Sequence, residues 1–128
     1  MIIPSSKIIM IVEDEPDTAE MFAEMIRLSG YRVIKSYGGA AAIGLLSQEK
    51  PDALLLDLMM PDVSGLEVLS FVRQEQRLEN MPVIVVSAKS SPSDVKDGLD
   101  AGASIYLTKP VAFLDLIKAI EKTLGNNK

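Results

Sequence analysis

The chain has no cysteine, no histidine and no tryptophan, and only three phenylalanines and three tyrosines among 128 residues. Without cysteine there is no disulfide framework and no thiolate metal site. Without histidine, imidazole catalysis and histidine-ligated metals are excluded within this chain. Positive charge is also in short supply. Thirteen Lys and Arg stand against eighteen Asp and Glu, a net charge of −5, so no basic stripe is available to neutralise nucleic-acid phosphates. No apolar run approaches the ~20 residues of a membrane span. The start, Met1 to Lys7, lacks the charged-then-apolar layout of a secretion signal. A cytoplasmic protein that touches neither nucleic acid nor membrane directly is the expectation.

What the chain does have is apolar content, 48% of its residues, enough at this length to bury one core without staples. Residues 1–128 read as a single domain with a core at about 7–125. Short apolar runs, Ile8 to Val12, Ala53 to Leu56 and Val83 to Val86, fit strands buried on both faces. Arg32 to Ser36 is a more polar strand suited to a sheet edge, and Ser104 to Thr108 is a fifth. Helical spacing fills the gaps: Ala19, Phe22, Ala23 and Ile26; Ala42, Ile43 and Leu46, ended by Lys50-Pro51; Gly65, Val68, Leu69 and Val72; Phe113, Leu116, Ile117, Ile120 and Leu124. Gly30 and Gly125 stop the first and last of these. Ser91-Pro92-Ser93-Asp94 opens another helix, with Ser91 as N-cap and an acid three residues later. That helix, about Pro92 to Asp100, has only Val95 and Leu99 to pack with and should be the least firmly held. The tail Arg73 to Asn80 is charged and expected to be exposed. Strands alternating with helices in this way make an α/β protein, a parallel sheet covered on both faces.

Within this plan one stretch stands out, Pro51 to Gly65, where a buried strand ends abruptly in Asp57. A carboxylate there is costly unless something uses it. Alone, it reads equally well as a loop or helix cap. The other strand ends decide, because ligands of such sheets bind outside the carboxyl ends of the strands. Those ends carry Glu13-Asp14, Asp57, Ser87 and Lys109. Three acids against one lysine repel one another unless a cation joins them. With no His or Cys, an all-oxygen site suits Mg²⁺, with Mn²⁺ able to substitute; Ca²⁺ lacks the six to eight oxygens it needs. Mg²⁺ beside a lysine and a hydroxyl is equipment for gripping a phosphoryl group. A bound nucleotide would need a glycine-rich loop after the first strand, and Glu13-Asp14-Glu15-Pro16 stands there instead. Asp57 is therefore better read as a carboxylate nucleophile that becomes an aspartyl phosphate.

The set Glu13-Asp14, Asp57 with Pro61 and Gly65 after it, Ser87-Ala88, and Tyr106-Leu107-Thr108-Lys109-Pro110 resembles the response regulator receiver domain (the CheY-like superfamily) from about Lys7 to Gly125. The resemblance implies a flavodoxin-like, doubly wound (βα)5 fold with strand order 2-1-3-4-5. It implies that Asp57 is the phosphoacceptor and that Asp14 holds Mg²⁺ with Glu13 helping through water. The metal would also take Asp57 and the Met59 carbonyl, and Met59 and Ala88 would offer backbone groups to the phosphoryl. Lys109 would pair with Asp57 and then with the phosphoryl oxygens. Ser87 would move to the phosphoryl on activation, and Tyr106 would turn inward as the switch aromatic. The Lys109-Pro110 bond matches the family's cis peptide. Gly65 is read as a helix start with no chemical part.

The implied function is that of a phosphoacceptor in two-component signalling, not a metabolic enzyme, although it assists its own phosphorylation and dephosphorylation. The donor would be a sensor histidine kinase or a histidine phosphotransfer protein. Phosphorylation would switch the surface made by the fourth helix, fifth strand and fifth helix toward a downstream protein target or an output domain of its own. A phosphorylation-dependent dimer stays open. No output domain follows Gly125, so the chain is a stand-alone receiver or a piece of a hybrid kinase or longer regulator. Glu13 in place of the frequent aspartate, Ile105 in place of an acid, and the variable Met59 and Lys89 are the departures. A haloacid dehalogenase-type hydrolase would want a second acid at position 59, and a phosphorylation-independent interaction module would have a broken pocket; neither fits.

Overall fold

In the computed structural model, which describes residues 7–125, the apolar runs form the middle of an all-parallel sheet. The absence of a secretion signal was read largely from residues 1–6, which lie outside the described residues. Strands β1 (Ile8–Val12), β3 (Ala53–Leu56) and β4 (Val83–Ser87) are central, and β2 (Arg32–Ser36) and β5 (Ile105–Thr108) form the edges, in the order β2-β1-β3-β4-β5. The more polar composition of β2 follows from its place at an edge.

Because successive strand residues face opposite ways, each central run feeds two cores. Ile9, Ile11, Leu55, Ile84 and Val86 pack with Phe22, Ile26, Leu116 and Ile120 of α1 (Pro16–Leu28) and α5 (Phe113–Leu124). Met10, Val12, Leu54, Leu56, Val83 and Val85 pack with Ala42, Leu46, Val68, Leu69 and Val72 of α2 (Gly39–Leu46) and α3 (Gly65–Gln74). Full burial of one such side chain stabilises by about 1.5–3 kcal/mol, so this two-sided filling sets the register: Val12 lies beside Leu56, and Leu56 beside Val85.

The fourth helix, α4 (Pro92–Asp100), starts at Ser91 with a full capping box to Asp94. Its packing is as thin as its sequence suggested: among its residues only Gly98 is buried, and Leu99 is 45% exposed. Strand β5 begins one residue later than its sequence suggested. Ser104 sits outside it, and its hydroxyl accepts the Val83 N–H at 3.1 Å. Helix α2 likewise stops at Leu46, short of Lys50-Pro51.

The expectation of an exposed tail from Arg73 to Asn80 holds for Gln74, Glu75, Gln76, Arg77, Glu79 and Asn80, and is corrected at Arg73 and Leu78. Leu78 is fully buried, and Arg73 is half-buried. The Arg73 guanidinium donates to the carbonyls of Gly102 (2.8 and 3.0 Å), Glu79 (3.0 Å) and Met81 (2.7 Å). Charge on this tail marked it as solvated, whereas three backbone carbonyls needed a donor. Among the described residues, no helix is long and apolar enough to cross a membrane.

Candidate functional site

Strand order reverses between β1 and β3, since β1 connects onward to β2 on one side while β3 pairs on its other. Such a reversal opens a crevice at the carboxyl ends of the strands. The ladder continues just far enough to place its acids there: the Asp57 N–H donates to the Val12 carbonyl at 3.0 Å, and the Glu13 N–H to the Ser36 carbonyl at 3.0 Å. Carboxylate oxygens of Glu13, Asp14 and Asp57 all come within 4.8 Å of one another. Glu13 is 1% exposed and Asp57 7%, while Asp14 is half-buried.

Lys109 is brought to the same point because its N–H continues the β4–β5 pairing, donating to the Ser87 carbonyl at 2.9 Å. The Lys109–Pro110 bond is cis. The ammonium lies 2.9 Å from Glu13 Oε1 and 3.6 Å from Asp57 Oδ2. Its nearer partner is thus Glu13, whose extra methylene over aspartate lengthens its reach. Glu13 Oε2 also accepts the Glu15 N–H at 3.2 Å.

Burial pushes the Glu13 carboxyl above the ordinary glutamate value; the hydrogen bonds from Lys109 and the Glu15 amide pull it down, and the Asp57 charge adds to the rise. For Lys109, burial acts to lower the pKa, but the hydrogen bond to Glu13 and the charges of Asp57 and Glu13 outweigh it, so the net direction is upward. One lysine therefore does not discharge three clustered acids. A divalent cation held by oxygen would, and a donor set of carboxylates without N or S ligands fits Mg²⁺.

The remaining sequence candidates are arranged around this cluster. The Met59 N–H donates to Asp57 Oδ1 at 3.2 Å, and the Met59 side chain is 53% exposed. Ser87 is fully buried, and its Oγ accepts the Lys89 N–H at 3.1 Å. The carbonyl of the same Lys89 accepts the Tyr106 hydroxyl at 2.7 Å. One residue thus ties Ser87 to Tyr106 through its two backbone groups. Tyr106 lies outside the acid cluster, half-buried. Ala88 is exposed beside Ser87.

Sequence reading gave Gly65 no part, and the fold assigns it one in packing. A Cβ there would collide with the Asp57 carbonyl and stand 2.5 Å from the Leu58 Cα. The Gly65 N–H donates to the Leu58 carbonyl at 3.0 Å. Glycine lets the start of α3 fold back directly behind the Asp57 strand end. The fixed spacing of Gly65 after Asp57 was the available signal. Asp62 in the same loop was missed altogether: its two oxygens accept the Gly39 (3.2 Å) and Ala40 (3.0 Å) N–H groups and cap α2 from a distance.

Comparison with known proteins agrees with this geometry. The profile of the Response regulator receiver domain matches residues 9–121. The polar-differentiation response regulator DivK of Brucella ovis is 34% identical over 121 residues, covering 94% of this chain and 98% of that protein. The signal receiver domain of a signal transduction histidine kinase from Syntrophus aciditrophicus has a TM-score of 0.87 at 30% identity, covering 96% of this chain and 93% of that one. The receiver domain of the sensor histidine kinase PA1611 from Pseudomonas aeruginosa PAO1, with a magnesium ion coordinated in its active site cleft, has a TM-score of 0.87 at 27% identity. It covers 94% of this chain and 99% of that one.

Proposed function

This chain belongs to the response regulator receiver domain family, the signalling phosphoacceptors of two-component systems, and from that premise we propose that Asp57 is its phosphoacceptor. One observation carries the assignment. Asp57 stands at the end of the central strand β3, between the acids that follow β1 and the Ser87 and Lys109 at the ends of β4 and β5. It clusters with Glu13 and Asp14, its Oδ1 accepts the Met59 N–H, and its Oδ2 lies 3.6 Å from the Lys109 ammonium, whose shorter bond is to Glu13. Residues 1–128 are read as one receiver unit.

Asp14, Glu13, Asp57 and the Met59 carbonyl would hold Mg²⁺, which when bound supplies positive charge against the negative charge on the oxygens of the transferring phosphoryl group. The magnesium ion in the PA1611 receiver supports this. The Asp57 carboxylate oxygen attacks the phosphorus of a phosphohistidine on a sensor kinase or phosphotransfer protein. The new P–O bond forms as the P–N bond breaks, and the imidazole nitrogen leaves with the electron pair. Lys109 exchanges its hold on Glu13 for a phosphoryl oxygen. The Met59 and Ala88 amides and the Ser87 hydroxyl donate to the others. As the Ser87 side chain turns to the phosphoryl group its oxygen draws away from the Lys89 N–H it now accepts from, and the loop that also anchors Tyr106 is disturbed. Tyr106 turns inward, and the α4-β5-α5 surface changes its affinity for a downstream target. The same groups assist hydrolysis of the aspartyl phosphate.

For docking of the donor, a groove of about 390 Å³ lined by Thr18, Met21, Phe22, Lys109, Pro110 and Val111 offers an apolar bed that reaches Lys109, the ion-pair partner of Asp57. Intact mass after incubation with acetyl phosphate and Mg²⁺ tests the assignment. The wild type is expected to gain one phosphoryl group only with metal present, and Asp57→Asn to gain none. Equal gain by the variant would remove Asp57 from the role.

A further inference from the structure

The loop after β3 runs from Asp57 to α3 and carries Met59, whose carbonyl is read as a metal ligand. Both ends of the loop are held locally, the Met59 N–H by Asp57 Oδ1 and the Gly65 N–H by the Leu58 carbonyl. Met60 and Val63 rest on the second core, a contact without direction. Asp62 supplies direction. Its two oxygens accept the Gly39 N–H at 3.2 Å and the Ala40 N–H at 3.0 Å, at the start of α2. Two glycines make room for this approach. A Cβ at position 39 would stand 2.3 Å from the Val63 carbonyl oxygen, and one at position 38 would stand 3.1 Å from Asp62 Oδ2. The same helix start is tied to the other side of the crevice. Ser36 is buried; its carbonyl accepts the Glu13 N–H at 3.0 Å, and its hydroxyl donates to the Gly38 carbonyl at 3.2 Å. The opening of α2 thus connects the segment that bears Glu13 with the loop that bears Asp57 and Met59.

We propose that Asp62 is a positioning residue for the metal site: by fastening the loop after β3 to the start of α2, it fixes where the Met59 carbonyl stands relative to Glu13, Asp14 and Asp57. The proposal rests on the reading of that carbonyl and those acids as Mg²⁺ ligands. Asp62 is not itself a ligand, since its oxygens stay with α2. A ligand group held in place beforehand loses less freedom on binding, and groups that orient metal ligands are worth about 10–100-fold in affinity.

Calorimetric titration with Mg²⁺ alone tests this on the wild type, Asp62→Ala, Asp62→Asn and Arg77→Ala. Asp62→Ala is expected to bind Mg²⁺ about tenfold more weakly. Asp62→Asn keeps an oxygen that accepts helix-start N–H groups, and is expected to lose much less. Equal losses in the two would mean that Asp62 acts only as a nearby negative charge, and would overturn the proposal. Arg77 holds α2 at its other end, where its guanidinium donates to the Leu46 and Glu49 carbonyls. Arg77→Ala is expected to bind Mg²⁺ as the wild type does. A loss there as large as in Asp62→Ala would mean that any loosening of α2 weakens the site, which also sinks the proposal. So would wild-type affinity in Asp62→Ala. Failure of the wild type to bind Mg²⁺ would instead overturn the metal reading beneath it.

Hydrogen exchange in the wild type keeps the proposal testable if Asp62→Ala fails to fold. By reciprocity, what Asp62 adds to metal affinity the metal returns to the Asp62 bonds. The Gly39 and Ala40 amides are expected to exchange more slowly with Mg²⁺ bound, by up to about tenfold. The Glu49 amide, which donates to the Leu45 carbonyl at the far end of α2, is expected to be unchanged. Unaltered exchange at Gly39 and Ala40, or equal slowing at Glu49, would overturn the proposal.

Discussion

At the scale of single residues, the site is governed by small differences in reach. Glu13 is one methylene longer than the aspartate frequent at its position, and it takes the shorter of the two bonds to Lys109. Met59 lends its amide to Asp57 while its side chain stays exposed beside the carboxylate. An apolar thioether there gives an attacking water nothing to bond to. On the proposed chemistry, Met59→Asn is expected to lose the phosphoryl group up to roughly tenfold faster, a barrier change of ~1.4 kcal/mol. Following dephosphorylation by intact mass after removal of the donor checks this, and an unchanged rate would refute the role. That Asp57 and Asp14 stand just past strand ends on one rim was legible from the apolar runs that precede them. The pairing of Lys109 with Glu13 was not, because the two lie 96 residues apart and only folding sets which acid is nearer.

At the scale of elements, helix starts divide into local and borrowed caps. Ser91 and Asp94 cap α4 from within their own segment, and that pattern could be read directly. Helix α2 has no side-chain cap of its own. Its free N–H groups are met by Asp62 from the loop after β3, where the positive end of the helix favours a carboxylate. Hydrogen bonds from the Ala40 amide first, and then from Val63 and Gly39, hold the Asp62 carboxyl below the ordinary value of 3.8. A carboxyl whose pKa is lower folded than unfolded stabilises the fold above the unfolded value, and loses that contribution as pH falls through the folded one. Asp62→Ala is therefore expected to lower the melting temperature at neutral pH, with the deficit shrinking below about pH 3.8. Thermal unfolding of both proteins across that range measures it. A deficit independent of pH would show that the cap does not depend on charge.

At the scale of the whole molecule, Arg73 ties three separate segments: α3, the turn before β4, and the Gly102 turn between α4 and β5. Charge-assisted hydrogen bonds contribute about 1.5–3 kcal/mol each and are not additive. Removing the guanidinium also leaves carbonyls near the core unpaired. Arg73→Ala is expected to destabilise by about 2–3 kcal/mol in denaturant unfolding. Arg73→Lys should recover little of this, because a single ammonium cannot span the same fork. A loss near zero would mean that water replaces the bonds. The clamp also pins the carboxyl end of α4, leaving the thinly packed remainder of that helix as the part free to respond when Tyr106 moves.

The sequence by itself determined the layering of this protein. Runs such as Ala53 to Leu56 are short, apolar on both faces and bounded by turn residues, which fits central parallel strands, and spacing such as Ala19-Phe22-Ala23-Ile26 fits covering helices. It also placed Glu13, Asp14, Asp57 and Lys109 on one rim, because in a parallel sheet every strand ends on the same side. Only the tertiary structure decided which groups on that rim touch, that Asp62 caps a helix more than twenty residues before it, and that Arg73 is a clamp. Each of these depends on distances between segments remote in the chain. Periodicity reports which way a side chain faces; it carries no information about what the fold brings opposite.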